Sequence, residues 1–127
     1  YQKLGIDFAI VNSIDNYDEI SLTGDFKVAT NHYEKVFKPA DFGFELTKPE
    51  ELVAGATQEE AAQIFDHVLE DKALPGQKNV VIINAAFGIQ TLERGKKGIA
   101  ECIEIARDSI ESGKALAAFR KFKELNQ

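Results

Sequence analysis

The stretch NVVIINAAFGIQTLE, residues 79–93, decides how the rest of the chain is read. Val80 to Ile83 are β-branched and would pass alone for a short buried strand. The apolar run does not stop there: it continues through Ala85, Ala86, Phe87 and Ile89, longer than most strands. Its apolar positions fall on every side of a helical wheel, the pattern of a helix buried in a core. The expectation is therefore a helix, with the β-branched content counting against it.

Reading outward, Leu74-Pro75-Gly76 separates this helix from an earlier one. That earlier helix opens at Thr57 with Glu60 three residues on, a spacing in which each side chain can satisfy a backbone donor. Ala61, Ile64, Phe65, Val68 and Leu69 then share one face. Downstream, Arg94-Gly95-Lys96-Lys97-Gly98 reads as a solvated turn. Ile99, Cys102, Ile103, Ala106 and Ile110 mark an amphipathic helix ending near Ser112-Gly113, and a last helix carries Leu116, Phe119 and Phe122 as core packing.

The first half reads differently. Phe8 to Asn12 form a short strand running into a polar loop, and Ile20-Ser21-Leu22 suit a second buried strand. Phe26–Thr30 and Tyr33–Lys38, joined through Asn31-His32, read as a hairpin or a pair of short neighbouring strands that Pro39 ends, because proline has no N–H for a ladder. Residues 39–55 form an ordered connector anchored by Phe42 and Phe44. Strands first and helices after describe either a complete α+β domain or the closing strands and outer helices of an α/β domain. The chain contains no methionine and starts at Tyr1, which favours the second, a part of a longer protein.

The totals bound the function. The 127 residues suffice for one domain with its own core. A formal charge of -6 disfavours nucleic acid, whose binding rests on cationic contacts to phosphate. It leaves room for a phosphorylated small molecule, since a divalent cation can supply the missing positive charge. No stretch has the roughly 20 apolar residues of a membrane span, and nothing at the start has a signal-peptide pattern, so a soluble, cytoplasmic protein is expected. Cys102 excludes an internal disulfide and reads as a buried helical thiol. His32 and His67 lack metal-ligand spacing and read as surface residues. Asn84 either reaches a ligand or, more commonly for a buried asparagine, satisfies neighbouring backbone groups.

One short segment carries chemistry. NYDEISLTG, residues 16–24, sets Asp18 and Glu19 side by side just before an apolar run. Two acids in a loop are ordinarily solvated. They also suit magnesium, which is held by one or two carboxylates and completed by substrate phosphates and water. Successive residues of an extended strand point to opposite sides, so a shared ion requires the loop to bend, and Asn16 tolerates the left-handed geometry that a bend needs.

The chain resembles the C-terminal part of the anthranilate phosphoribosyltransferase family. The matches are Asp18-Glu19-Ile20-Ser21 with Thr23-Gly24, then Pro39-Ala40-Asp41-Phe42-Gly43, then Gly55 with Glu59-Glu60-Ala61. Ile83-Asn84-Ala85-Ala86 and the run from Asp108 to Leu116 complete the series. The resemblance implies an α/β fold, the C-terminal portion of a nucleoside phosphorylase/phosphoribosyltransferase-type catalytic domain. Residues 1–127 would be an incomplete domain of the glycosyltransferase family 3 type, a few strands followed by about four helices packed on the sheet.

It also implies a magnesium-dependent transferase of tryptophan biosynthesis, moving phosphoribosyl from phosphoribosyl pyrophosphate to anthranilate with release of pyrophosphate. Asp18 and Glu19 match the family's metal-binding pair, with Mg2+ as the cofactor. The family's glycine-rich phosphate loop, anthranilate contacts and small helical domain, through which it forms homodimers, lie outside these residues. The isolated chain is expected to be inactive. Two departures sit at the edge of the site: Asn12 where many members carry histidine, and Asn16 where glycine is common. The competing readings are a pyrimidine nucleoside phosphorylase of the same broad fold and a non-catalytic α/β scaffold or binding module.

Overall fold

The computed structural model describes residues 1–126. Three strands, β1 (Ala9–Ser13), β2 (Phe26–Thr30) and β3 (Glu34–Phe37), form one antiparallel sheet in that order. Register runs from Ala9 opposite Thr30 to Ser13 opposite Phe26, and from Phe26 opposite Phe37 to Ala29 opposite Glu34. The expected hairpin is β2–β3, closed by the Thr30 N–H donating to the Tyr33 carbonyl at 2.7 Å. β1 lies one residue later than Phe8–Asn12. Ile20-Ser21-Leu22 is buried as expected but is not a strand: the backbone of Ile20 and Ser21 is held by side chains rather than by a ladder.

Four helices follow: α1 (Gln58–Leu69), α2 (Pro75–Leu92), α3 (Ile99–Glu111) and α4 (Lys114–Leu125). Residues 79–92 are thus helical throughout. β-Branched residues lose only a few tenths of a kcal/mol each in a helix, and burial outweighs that. Ile82, Ile83, Ala86 and Phe87 make the buried face of α2, joined in one core to Phe26, Val28, Ile20 and Leu22. Phe87 meets Phe26 edge-on at 6.4 Å. The other side of α2 is open, with Val81 and Leu92 exposed. The layers run from the sheet to α2, from α2 to α3, and from α3 to α4.

The connector between β3 and α1 is ordered, as expected. Pro39–Phe42 and Pro49–Leu52 are single 3-10 turns. Phe42 packs on Phe37 at 5.1 Å and on Phe26 at 5.8 Å, and Phe44 is buried. At the start of α1 the Glu60 N–H donates to the Thr57 hydroxyl at 3.1 Å, while the Glu60 carboxylate accepts from the Ala56 N–H at 2.6 Å. Lys78 of α2 reaches Asp71 and Glu111 at 2.7 Å each, fastening the end of α1 to α3. Its hydrogen bonds to Asp71 and then Glu111 raise the ammonium pKa above its ordinary value.

Two expectations about burial need correction. α4 has no fully buried residue: Leu116 and Phe119 are half-buried and Phe122 is 62% exposed, so this face is not core. On α1 only Val68 is fully buried, with Ala61 and Phe65 exposed. The two helices instead meet through Phe65 and Phe119, whose rings are 4.9 Å apart and nearly perpendicular. Amphipathic spacing identified the apolar faces correctly, but spacing says nothing about whether a neighbour covers them.

Candidate metal site

β1 ends at Ser13, where the chain leaves the sheet into a loop closed by its own backbone. The Ser13 N–H donates to the Tyr17 carbonyl at 3.0 Å, and the Ile14 N–H donates to the Asp25 carbonyl at 2.9 Å. Asn16 turns the chain with φ of 76°, the left-handed conformation expected of it. Asp18 and Glu19 follow on the exposed side of this bend, and the next three residues drop into the core: Ile20, Ser21 and Leu22 are 0%, 1% and 0% exposed.

Buried backbone without a ladder needs other partners. Two side chains supply them. From β1, the Ser13 hydroxyl donates to the Glu19 carbonyl and accepts from the Ser21 N–H, both at 2.9 Å. From α2, the Asn84 carboxamide accepts from the Ile20 N–H at 3.1 Å and donates to the Ile20 carbonyl at 2.8 Å. Asn84 also donates to the Val80 carbonyl at 2.8 Å. The backbone immediately after the acids is therefore gripped from both flanking elements. Sequence reasoning placed Asn84 among the backbone-satisfying residues and missed Ser13, which stands beside Asn12 in a polar strand end with nothing in the sequence to single it out.

Further along, Leu22 adopts φ of 59° although it is fully buried, and its carbonyl accepts from the Thr47 N–H at 2.9 Å. Ser21 and Thr23 hydroxyls lie 2.6 Å apart, and the Thr23 hydroxyl donates to the Asp15 carboxylate. Asp15 is thus engaged within the loop, whereas Asp18 and Glu19 take part in no ion pair among the described residues.

Glu19 lines a groove of about 310 Å³ whose apolar walls include Leu52, Ile64, Phe65 and Val81 from the connector, α1 and α2; Asp18 does not line it. Two hard, unpaired carboxylates on a braced loop fit a divalent cation of the magnesium type. No cluster of three or more His, Cys, Asp or Glu among the described residues could hold a metal alone. The donor set therefore fits half of a site, to be completed by oxygens of a ligand. His32 and His67 are exposed, as expected. Asn12 is exposed and its amide donates to the Ser13 carbonyl at 3.2 Å. Burial pushes the Cys102 thiol pKa up, as for an inert core cysteine.

Comparison with known proteins gives a consistent picture. Residues 2–116 match the family model described as the glycosyl transferase family, a/b domain. An anthranilate phosphoribosyltransferase from Phocaeicola vulgatus is 57% identical over 126 residues, covering 99% of this chain and 38% of that protein. The crystal structure of anthranilate phosphoribosyltransferase from Thermus thermophilus superposes with a TM-score of 0.82 at 21% identity, over 95% of this chain and 36% of the other, a likeness of fold. The enzyme of that name from Saccharomyces cerevisiae, in complex with PRPP and Mg, gives 0.73 at 26% identity over 91% of this chain and 33% of its own. The chain spans 38% of the length of curated relatives such as those from Phocaeicola vulgatus and Bacteroides thetaiotaomicron.

Proposed function

The chain belongs to the glycosyl transferase family, a/b domain, and from that premise we propose that it works as part of a phosphoribosyltransferase acting on phosphoribosyl pyrophosphate and anthranilate. In the reaction the bond from the ribose carbon to pyrophosphate breaks, a bond from that carbon to the anthranilate nitrogen forms, and the amine loses a proton. The observation that carries this reading is the pair Asp18 and Glu19, exposed and unpaired on a loop fixed from both sides. The Saccharomyces cerevisiae relative, in complex with PRPP and Mg, supports it.

Asp18 and Glu19 would hold Mg2+. When bound to the substrate diphosphate, Mg2+ neutralises the negative charge that gathers on the departing pyrophosphate. The chain's own contribution is to hold the backbone that carries both carboxylates in place before substrate arrives, so that less reorganisation remains at the moment of reaction. Neither is a general base.

On their own, two free acids in a chain of net charge -6 repel a diphosphate anion, and the 127 residues contain no glycine-rich phosphate loop of the usual spacing. The isolated chain is therefore inactive under this proposal. The single buried thiol is compatible with a reducing compartment; no helix is long and apolar enough to cross a membrane among the described residues.

The test is a chimera in which this chain replaces the matched 38% of the Phocaeicola vulgatus relative. Anthranilate fluorescence should fall in the presence of phosphoribosyl pyrophosphate and Mg2+ with the chimera and stay constant with the isolated chain. A folded chimera that leaves anthranilate untouched, or turnover by the isolated chain, contradicts the proposal.

A further inference from the structure

We infer that Asn84 is a positioning residue for the metal-binding acids: its carboxamide, on α2, sets the backbone of Ile20 and through it the direction of Asp18 and Glu19. The inference rests on the metal reading above and extends it to a residue 64 positions away in sequence.

Its basis is an accounting of hydrogen bonds. In an ordinary sheet the N–H and C=O of Ile20 would be paired by a neighbouring strand, yet Ile20 lies outside the ladder and is fully buried. Both groups are met by one side chain, with the Asn84 oxygen 3.1 Å from the Ile20 nitrogen and the Asn84 nitrogen 2.8 Å from the Ile20 oxygen. A carboxamide is the uncharged side chain that offers an acceptor and a donor in one plane at the spacing of a peptide group. It acts here as a one-residue strand.

The third bond, from the Asn84 nitrogen to the Val80 carbonyl one turn earlier, fixes the orientation of the amide on its own helix. A flipped amide would set oxygen against both carbonyls, so the network determines which end faces which group.

Rigidity is transmitted through a single peptide unit. The Ile20 N–H belongs to the same peptide plane as the Glu19 carbonyl, and that carbonyl accepts from the Ser13 hydroxyl at 2.9 Å. The plane is thus pinned from β1 through its oxygen and from α2 through its nitrogen. Glu19 is attached directly to this fixed plane and Asp18 one residue further, while their own side chains remain free of protein partners among the described residues. Residues that orient metal ligands without touching the metal change affinity by about 10-fold to 100-fold when removed.

The experiment uses the 127-residue chain with Mn2+ as a paramagnetic probe of a magnesium site and inorganic pyrophosphate to supply the oxygen donors that complete it, followed by amide NMR signals. In the unmodified chain, Mn2+ should broaden the Asp18 and Glu19 amides first, and the Ile20 amide should be protected from hydrogen exchange. Asn84→Leu keeps the volume without the polar ends; Asn84→Ala removes both. In each, the Mn2+ concentration that halves the Asp18 and Glu19 signals should rise by about tenfold or more.

Ile103→Val, a core change on α3, should leave that concentration unchanged and so separates positioning from general loosening. An unchanged Mn2+ response in Asn84→Leu with a native-like spectrum overturns the inference. So does rapid exchange of the Ile20 amide in the unmodified chain, a measurement that stands even where the variants do not fold. Failure of Mn2+ to broaden Asp18 and Glu19 in the unmodified chain instead removes the metal reading, and the inference with it.

Discussion

Asn16 holds φ at 76° two residues before the first acid, and the loop's direction depends on that single torsion. Left-handed geometry costs roughly 1–2 kcal/mol for most residues, less for asparagine and essentially nothing for glycine. Asn16→Gly should therefore leave stability within about 0.5 kcal/mol of the parent in urea denaturation, because glycine's added freedom in the unfolded chain offsets its relief of strain. Asn16→Val should lower stability by about 1–2 kcal/mol, since a β-branched residue is the least tolerant of this region. Equal stability of the valine variant contradicts the assigned role. Leu22 shows the opposite balance. It accepts φ of 59° because burying a leucine completely contributes about 2 kcal/mol or more, which outweighs the strain.

At the scale of elements, the N-terminus of α2 matters most, because α2 carries Asn84 and the core residues Ile82, Ile83, Ala86 and Phe87. Pro75 occupies its first turn, where a missing N–H is harmless. The Gly76 N–H donates to the Glu51 carboxylate at 3.0 Å, so a carboxylate from the connector meets the positive end of the helix dipole. Glycine is required at 76 for space rather than torsion: a Cβ there would lie 2.5 Å from Cγ2 of the buried Thr47 and 2.6 Å from Glu51 Oε2. Helix propensity favours alanine over glycine by about 1 kcal/mol. Overpacking costs about 1–3 kcal/mol, with the Glu51 hydrogen bond lost in addition. Gly76→Ala should thus destabilise the chain by about 1–2 kcal/mol in thermal or urea unfolding; a stabilised variant shows that the connector does not press on α2.

Across the whole molecule, what was legible in the sequence follows what each signal encodes. The length of the apolar run at 79–93 distinguished α2 from a strand, and Pro39, the hairpin turn at Asn31-His32 and the Thr57–Glu60 spacing marked real boundaries. The tolerance of Asn16 for left-handed geometry anticipated the bend. Long-range partners were not legible: Ile20 to Leu22 read as a strand because burial and alternation do not reveal that the pairing group is a carboxamide on a distant helix. Coverage of α1 and α4 was hidden for a related reason, since an apolar stripe specifies a preference and not a neighbour. The direction of each acid also had to come from the structure, which sets Glu19 on the groove and leaves Asp18 off it. The proposed function requires this pair to hold the cation on the substrate diphosphate. Its most direct test is the Mg2+ dependence of phosphoribosyl transfer by the chimera carrying Asp18→Asn with Glu19→Gln. The rate should fall by at least about 100-fold and the Mg2+ requirement should rise, whereas an unchanged rate and an unchanged Mg2+ requirement would contradict a metal role for the pair.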